Sequence, residues 1–249
     1  MEYTPTVIIA ALIATSVLGL AKGGLSGAGT LATPILALAI SPVQAAAILL
    51  PILIVQDVIS VWAFRHSWNR RIVAVMLPGS LVGIVAGWAL AEFVAVEAVM
   101  GAIGLISILF GLWRLWIERG GRVAAAVNSP DWVGTLFGAA SGFTSQIAHA
   151  GGPPFQMWVT PKKLPHAEFA GTTAVLFAMI NWAKVPAYVA LGQFSSANLV
   201  ASAWLVPVAV ATTLGGVWVV RRMRGRTFYT LINVLLVGLG LKLLVDAIV

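Results

Sequence analysis

The run from Ile72 to Ala91 is 20 residues long and carries no charge; Thr4–Leu20 and Val94–Trp113 are almost as clean. As an α-helix, at ~1.5 Å per residue, such a run rises ~30 Å, which is the thickness of a bilayer's hydrocarbon core. The whole chain agrees with this reading. Hydrophobic residues make up 60% of its 249 positions and charged residues 9%, against about 25% charge in an ordinary soluble domain. The sequence therefore predicts an all-α polytopic membrane protein. Its formal charge is +7, but the basic residues fall in short clusters between apolar spans. That pattern signals topology rather than a nucleic-acid partner. With no cysteine, disulfides, thiol catalysis and cysteine metal sites are excluded. The first segment opens Met-Glu-Tyr-Thr-Pro, without a basic region ahead of it, and is expected to be a retained span.

The pattern occurs twice. The first half reads Gly24-Leu-Ser-Gly-Ala-Gly-Thr30, then Ser41-Pro42, Pro78, Gly87 and Gly111. The second reads Ala148-His-Ala-Gly-Gly-Pro153, then Leu164-Pro165, Pro207, Gly216 and Gly240. Gly29 and Gly152, like Pro42 and Pro165, are 123 residues apart; Pro78/Pro207, Gly87/Gly216 and Gly111/Gly240 are 129 apart. A small insertion near Gly192 reconciles the two offsets. Similarity this regular implies a duplicated fold: a first transmembrane repeat over 1–120, a cytoplasmic linker over 121–130 and a second repeat over 131–249. Each repeat is predicted to hold five apolar segments, about 4–21, 29–40, 43–64, 72–91 and 95–116, then about 132–147, 153–161, 165–190, 198–220 and 227–248. The second segment of each is short for a span and reads as a half-helix or re-entrant piece buried in protein.

Twelve of the fifteen basic residues lie in four clusters: Arg65, Arg70 and Arg71; Arg114, Arg119 and Arg122; Lys162 and Lys163; and Arg221, Arg222, Arg224 and Arg226. The loops 91–97 and 191–197 have none. The positive-inside rule places the clusters in the cytoplasm. The loop 64–71 is then inside and its repeat partner 191–197 outside, so the repeats are inverted and both termini are expected outside. Inverted repeats with broken helices meeting near the midplane are a transporter signature.

The stretch Ser145-Gln-Ile-Ala-His-Ala-Gly-Gly-Pro-Pro154 gives the break its chemistry. Gly151 and Gly152 permit a sharp turn and close approach of a ligand, and Pro153 and Pro154 suit the first turn of a helix. Its partner starts near Thr30, after Ser26, Gly27 and Gly29. Two helix N-termini facing each other offer free N–H groups and positive dipole ends to an anion. The competing reading is that the glycines only let helices pack closely.

Gly27-Ala-Gly29 followed by Pro34, Ala150-Gly-Gly-Pro-Pro154, and the run Gly238-Leu-Gly-Leu-Lys-Leu-Leu244 resemble the motifs of the sulfite exporter TauE/SafE family, in order and over essentially the whole chain. Two positions depart from the pattern: alanine stands in the middle of the first glycine triplet, and Ala148-His149 stands where the family often has Gly-Ile. The resemblance implies transport of sulfite, sulfonates, thiosulfate or related small anions across the bacterial inner membrane. It leaves the particular anion and the direction open.

Single polar residues complete the candidate site. His149 either hydrogen-bonds the anion, carries a proton, or is satisfied by a neighbour. Ser145 and Gln146 lie within a turn of it. Asp57, beside Gln56, sits inside the third segment; an ionisable residue there is usually functional, as a proton carrier or an ion-pair partner. Lys184, in Asn181-Trp-Ala-Lys184, either attracts substrate, neutralises Asp57 or snorkels outward. Lys22 is placed at an inner vestibule, and Lys242 at an outer end. Thr172 and Thr173 either face the site or bond back to their own helix. Protons are thus a candidate coupling ion. No metal spacing, nucleotide loop or nucleophile triad stands out, so a secondary transporter is expected rather than an enzyme. The alternatives are an anion channel and an intramembrane hydrolase using Ser145 with His149 as base.

Overall fold

The computed structural model describes residues 4–24, 28–91, 93, 95–120, 129–220, 234, 237–238 and 240–248. Nine α-helices can be named among them: α1 (Pro5–Lys22), α2 (Ala32–Ala37), α3 (Pro42–Phe64), α4 (Arg70–Ala91), α5 (Val96–Glu118), α6 (Asp131–Ala148), α7 (Gly152–Val159), α8 (His166–Ala190) and α9 (Ser196–Val220). Residues 240–246 are also helical, and the described residues hold no strand. The predicted segments agree with these helices to within a few residues. Residues 227–233, 235–236 and 239 of the last predicted segment, most of the linker 121–130, and Ser26 and Gly27 lie outside the described residues.

Local chemistry sets the starts. Thr4 caps α1, its side chain accepting from the Val7 N–H at 3.4 Å, with Pro5 opening the first turn. Ser41 does the same for α3, accepting from Gln44 N–H at 3.3 Å ahead of Pro42. Asn69 caps α4 by accepting from the Ile72 N–H at 3.1 Å. These polar caps satisfy N–H groups that a helix start leaves without an internal partner.

Six of the helices are long and apolar enough to cross a membrane: α1, α3, α4, α8, nearly all of α9, and residues 97–117 of α5. Large apolar side chains face outward along them, Trp204 at 80% exposure, Val82 at 66% and Trp62 at 65%. An apolar surface on this scale suits lipid rather than water. The six-residue α2 and eight-residue α7 are too short to span, as the sequence suggested.

Packing joins helices distant in sequence. The first helix lies against α9, and α4 lies along α6. Glycines make both contacts possible. A Cβ on Gly83 would stand 2.0 Å from the Ala139 carbonyl oxygen, and one on Gly142 would stand 2.0 Å from that of Ser80. Small residues of this kind let helix backbones touch in a membrane. One apolar core gathers α1, α2, α3 and α9, around Leu18, Leu36, Leu49 and Leu205. A second gathers α4, α7 and α8, around Met76, Phe155, Trp158 and Leu176. The polar site lies between these two cores.

Candidate functional site

A cavity of about 90 Å³ opens between α1, α3, α7 and α8. A single water needs ~10–15 Å³ of such space, so the cavity has room for a few waters or one small oxyanion. Its polar wall is Lys22, Thr30, Ser145, His149, Gln156, Thr173 and Asn181; Phe155 and Phe177 form much of the apolar wall. The α7 N-terminus abuts the 3-10 turn Ala28–Leu31 here. A Cβ on Gly152 would lie 3.8 Å from the Thr30 methyl, so the two short segments meet at the cavity.

The carboxylate of Asp57, buried on α3, is held by two cavity-lining donors. Lys22, at the end of α1, forms an ion pair with its Oδ1. The Asn181 amide donates to Oδ2 at 2.6 Å. The expected ion-pair partner of Asp57 was Lys184; the structure gives that place to Lys22. Packing of α1 against α3 brings Lys22, 35 positions away in sequence, into contact with the acid. The ammonium of Lys22 also lies 5.6 Å from the centre of the Phe177 ring, a cation–π contact.

Lys184 is fully buried on α8, directly behind the cavity wall. Its Nζ donates to the Ser145 carbonyl at 3.1 Å, and lies 3.1 Å from Ser145 Oγ and 2.8 Å from His149 Nδ1. The other ring nitrogen of His149, Nε2, is 2.8 Å from the Ala46 carbonyl oxygen. A carbonyl only accepts, so Nε2 carries the ring proton and Nδ1 is the acceptor facing Lys184. Among the described residues Lys184 forms no ion pair with a carboxylate. Tyr188 stacks on the imidazole, ring centres 6.1 Å apart, and its hydroxyl donates to the Gln146 carbonyl at 3.1 Å.

The break that presents these groups is not made where the glycines suggested. The left-handed residue is His149, at φ 53° and ψ 24°, which ends α6; neither Gly151 nor Gly152 has positive φ. A left-handed residue is a common way to end a helix. The two glycines divide the roles proposed for them. A Cβ on Gly151 would press to 2.7 Å on both the Ser141 carbonyl and the Phe177 ring, so Gly151 is a packing glycine. Gly152 borders the cavity with nothing closer than 3.8 Å to such a Cβ. Pro153 and Pro154 have no N–H, and the Phe155 N–H bonds the Gly151 carbonyl at 3.4 Å. At most the N–H groups of Gly151 and Gly152 remain for a ligand, so side chains must supply most donors.

Other candidates are dispersed. Gln56 is buried beside Asp57 but points to α1, donating to the Thr15 carbonyl at 3.3 Å. Gln146 packs against α4 near Gly87. Thr172 turns away from the cavity, taking the Asn69 N–H at 2.9 Å and donating to the Glu168 carbonyl at 2.6 Å. Thr173, one residue on, lines the cavity, with its hydroxyl donating back to the Phe169 carbonyl at 2.8 Å. Gly29 lines it as well, and a Cβ there would meet Ala21 at 3.2 Å. Lys242 pairs with Asp246 on the surface at 2.6 Å. Gln156 is the cavity residue that sequence reading passed over; its only signal was a polar residue one turn beyond Gly152.

The profile of the family described as "Sulfite exporter TauE/SafE" matches residues 8–243. The chain belongs to that family. The match covers α1 through α9 and ends within the helical residues 240–246. TauE/SafE proteins are membrane transporters rather than enzymes, and six helices of spanning length make this one a multi-pass membrane protein. No curated protein and no solved structure matches the chain.

Proposed function

We propose that this TauE/SafE protein is a secondary transporter for a small sulfur-containing anion of the sulfite, organosulfonate or thiosulfate type. It works by alternating access across the bacterial inner membrane, with both termini periplasmic and a proton as coupling ion. In this reading residues 1–120 and 131–249 are inverted halves joined by a cytoplasmic linker. The exchange of partners supports it: the first helix of each half packs on the fourth helix of the other, α1 on α9 and α6 on α4.

The observation that carries the proposal is Lys184. An ammonium buried without a counter-charge loses its hydration, at an effective cost of several kcal/mol. The cavity wall between Ser145 and His149, the two residues Lys184 touches, is where an anion would supply that charge. Lys22, Asn181 and Gln156 offer donors around the same space, and the N–H groups of Gly151 and Gly152 at the start of α7 add a helix-terminal anion contact. The apolar wall excludes water, which strengthens each contact.

The test is labelled sulfite, thiosulfate and methanesulfonate flux in proteoliposomes of the purified chain. Saturable counterflow of one of them, with the anion recovered unmodified, is the expected outcome. Currents far above carrier turnover would mean a channel, and a modified product would mean an enzyme. No flux of any sulfur anion would refute the proposal.

A further inference from the structure

Two of the donors that line the cavity, Lys22 and Asn181, are both occupied by Asp57, one on each carboxylate oxygen. An oxyanion entering the cavity presents the same arrangement of acceptors to the same two side chains. We infer that Asp57 is an internal surrogate for the transported anion, and that binding is an exchange: the anion takes Lys22 and Asn181 while Asp57 takes up a proton. This rests on the anion-transport reading above and gives its coupling a structural basis.

The exchange follows from the donors available. Lys22 and Asn181 come from different helices, α1 and α8, and converge on a residue of a third, α3. Two anions within one shell would repel each other, so either the substrate stays out or one negative charge is removed. A proton on Asp57 removes it without moving the backbone. Released from the carboxylate, the Lys22 ammonium and the Asn181 amide are left without acceptors in a buried place, which is costly, and the substrate supplies them.

The charge count agrees. The titratable groups facing the cluster are Lys22 from α1, Lys184 from α8 and His149 at the end of α6, with Tyr188 of α8 stacked on the imidazole and its hydroxyl on the Gln146 carbonyl; Lys184 interacts electrostatically with both Lys22 and Asp57, and His149 with both lysines. Helices α2, α7 and α9 contain no titratable residue, and α3 none but Asp57. The basic residues of α4 are Arg70 and Arg71 at its start, where Arg71 pairs with Asp131. A proton on Asp57 raises the charge of the site by one, whatever the state of the groups around it, and a more positive site holds a dianion more tightly than a monoanion. The proton therefore favours dianions such as sulfite and thiosulfate over monoanionic sulfonates.

Calorimetry on the detergent-purified full chain tests this. Sulfite, thiosulfate and methanesulfonate are titrated in buffers of different ionisation enthalpy, and the protons taken up per bound anion are counted, with sulfite's own ionisation subtracted. The expectation is about one proton per dianion, and dianion affinity rising up to about tenfold per unit fall in pH. In Asp57→Asn the proton uptake is lost and dianion affinity no longer varies with pH. Lys22→Gln lowers affinity for all three anions. Anion binding by the wild type without proton uptake, or uptake that persists in Asp57→Asn, overturns the exchange and leaves the transport reading intact. Should none of the three bind to monodisperse wild-type protein, the transport reading falls and the exchange falls with it. The wild-type proton count decides the matter even if a variant fails to fold.

Discussion

His149 and Ala46, 103 residues apart in sequence, are joined by one hydrogen bond, ring Nε2 to carbonyl oxygen at 2.8 Å. That bond fixes the tautomer, so Nδ1 is left as an acceptor for Lys184 at 2.8 Å. The imidazole thus acts first as a positioning group for a buried ammonium, and its left-handed backbone is what swings it into place. Replacing it separates the two roles. His149→Asn keeps a residue type that tolerates the left-handed region but cannot bridge Ala46 and Lys184. It should fold and lose about tenfold or more in sulfite affinity, the worth of one hydrogen bond to a charged group. His149→Ala should lose that and, in addition, ~1 kcal/mol of stability from the strained φ. Thermal unfolding and affinity, read on the same two preparations, check both parts.

Lys184→Met tests whether the buried charge serves the fold or the ligand. Methionine is similar in length and fills the space without charge. Replacing an ion that lacks a carboxylate partner should leave thermal stability equal or higher. Sulfite affinity should fall by roughly two orders of magnitude, ~2–3 kcal/mol. A variant that unfolds readily but binds normally when folded would make Lys184 structural.

The glycines should sort by what surrounds them. Gly83→Val and Gly142→Val drive a side chain into backbone 2.0 Å away, and neither protein should be recovered monodisperse. Gly87→Val meets the side chain of Gln146 at 3.0 Å and the Phe143 carbonyl oxygen only at 3.5 Å. It should cost ~1–3 kcal/mol of stability without changing which anion binds. Gly152→Val has open space on its cavity side. It should fold, by size-exclusion profile and melting temperature, yet bind no sulfite. Unchanged affinity in folded Gly152→Val would move the anion away from the α7 terminus.

Orientation has its own check. The chain has no cysteine, so single cysteines can be introduced at 65–71 and at 191–197 and labelled with an impermeant thiol reagent in oriented vesicles. The two loops should label from opposite faces. Labelling from one face would make the halves parallel, contrary to the inverted arrangement.

The positions of the helices, and of the breaks between them, were decided by the sequence itself, because those causes are local. A span needs about 20 apolar residues in a row, a start needs Thr4-Pro5 or Ser41-Pro42, and α7 begins where Gly-Gly-Pro-Pro interrupts the run. Even the short α2 and α7 were legible, because length alone bars them from crossing. The polar contacts were not legible in the same way. For Asp57 the sequence offered Lys184 as a partner and placed Lys22 at an inner vestibule; packing of α1 against α3 made Lys22 the partner. Thr172 and Thr173 differ by one residue, yet ~100° of helical rotation turns one towards Asn69 and the other to the cavity. The left-handed turn falls on His149 rather than on a glycine, and the ring it presents meets Ala46 and Lys184, groups 103 and 35 residues distant. Partners that far apart meet only when helices assemble, and which faces meet is set by the summed fit of apolar and glycine surfaces, not by any short stretch of chain.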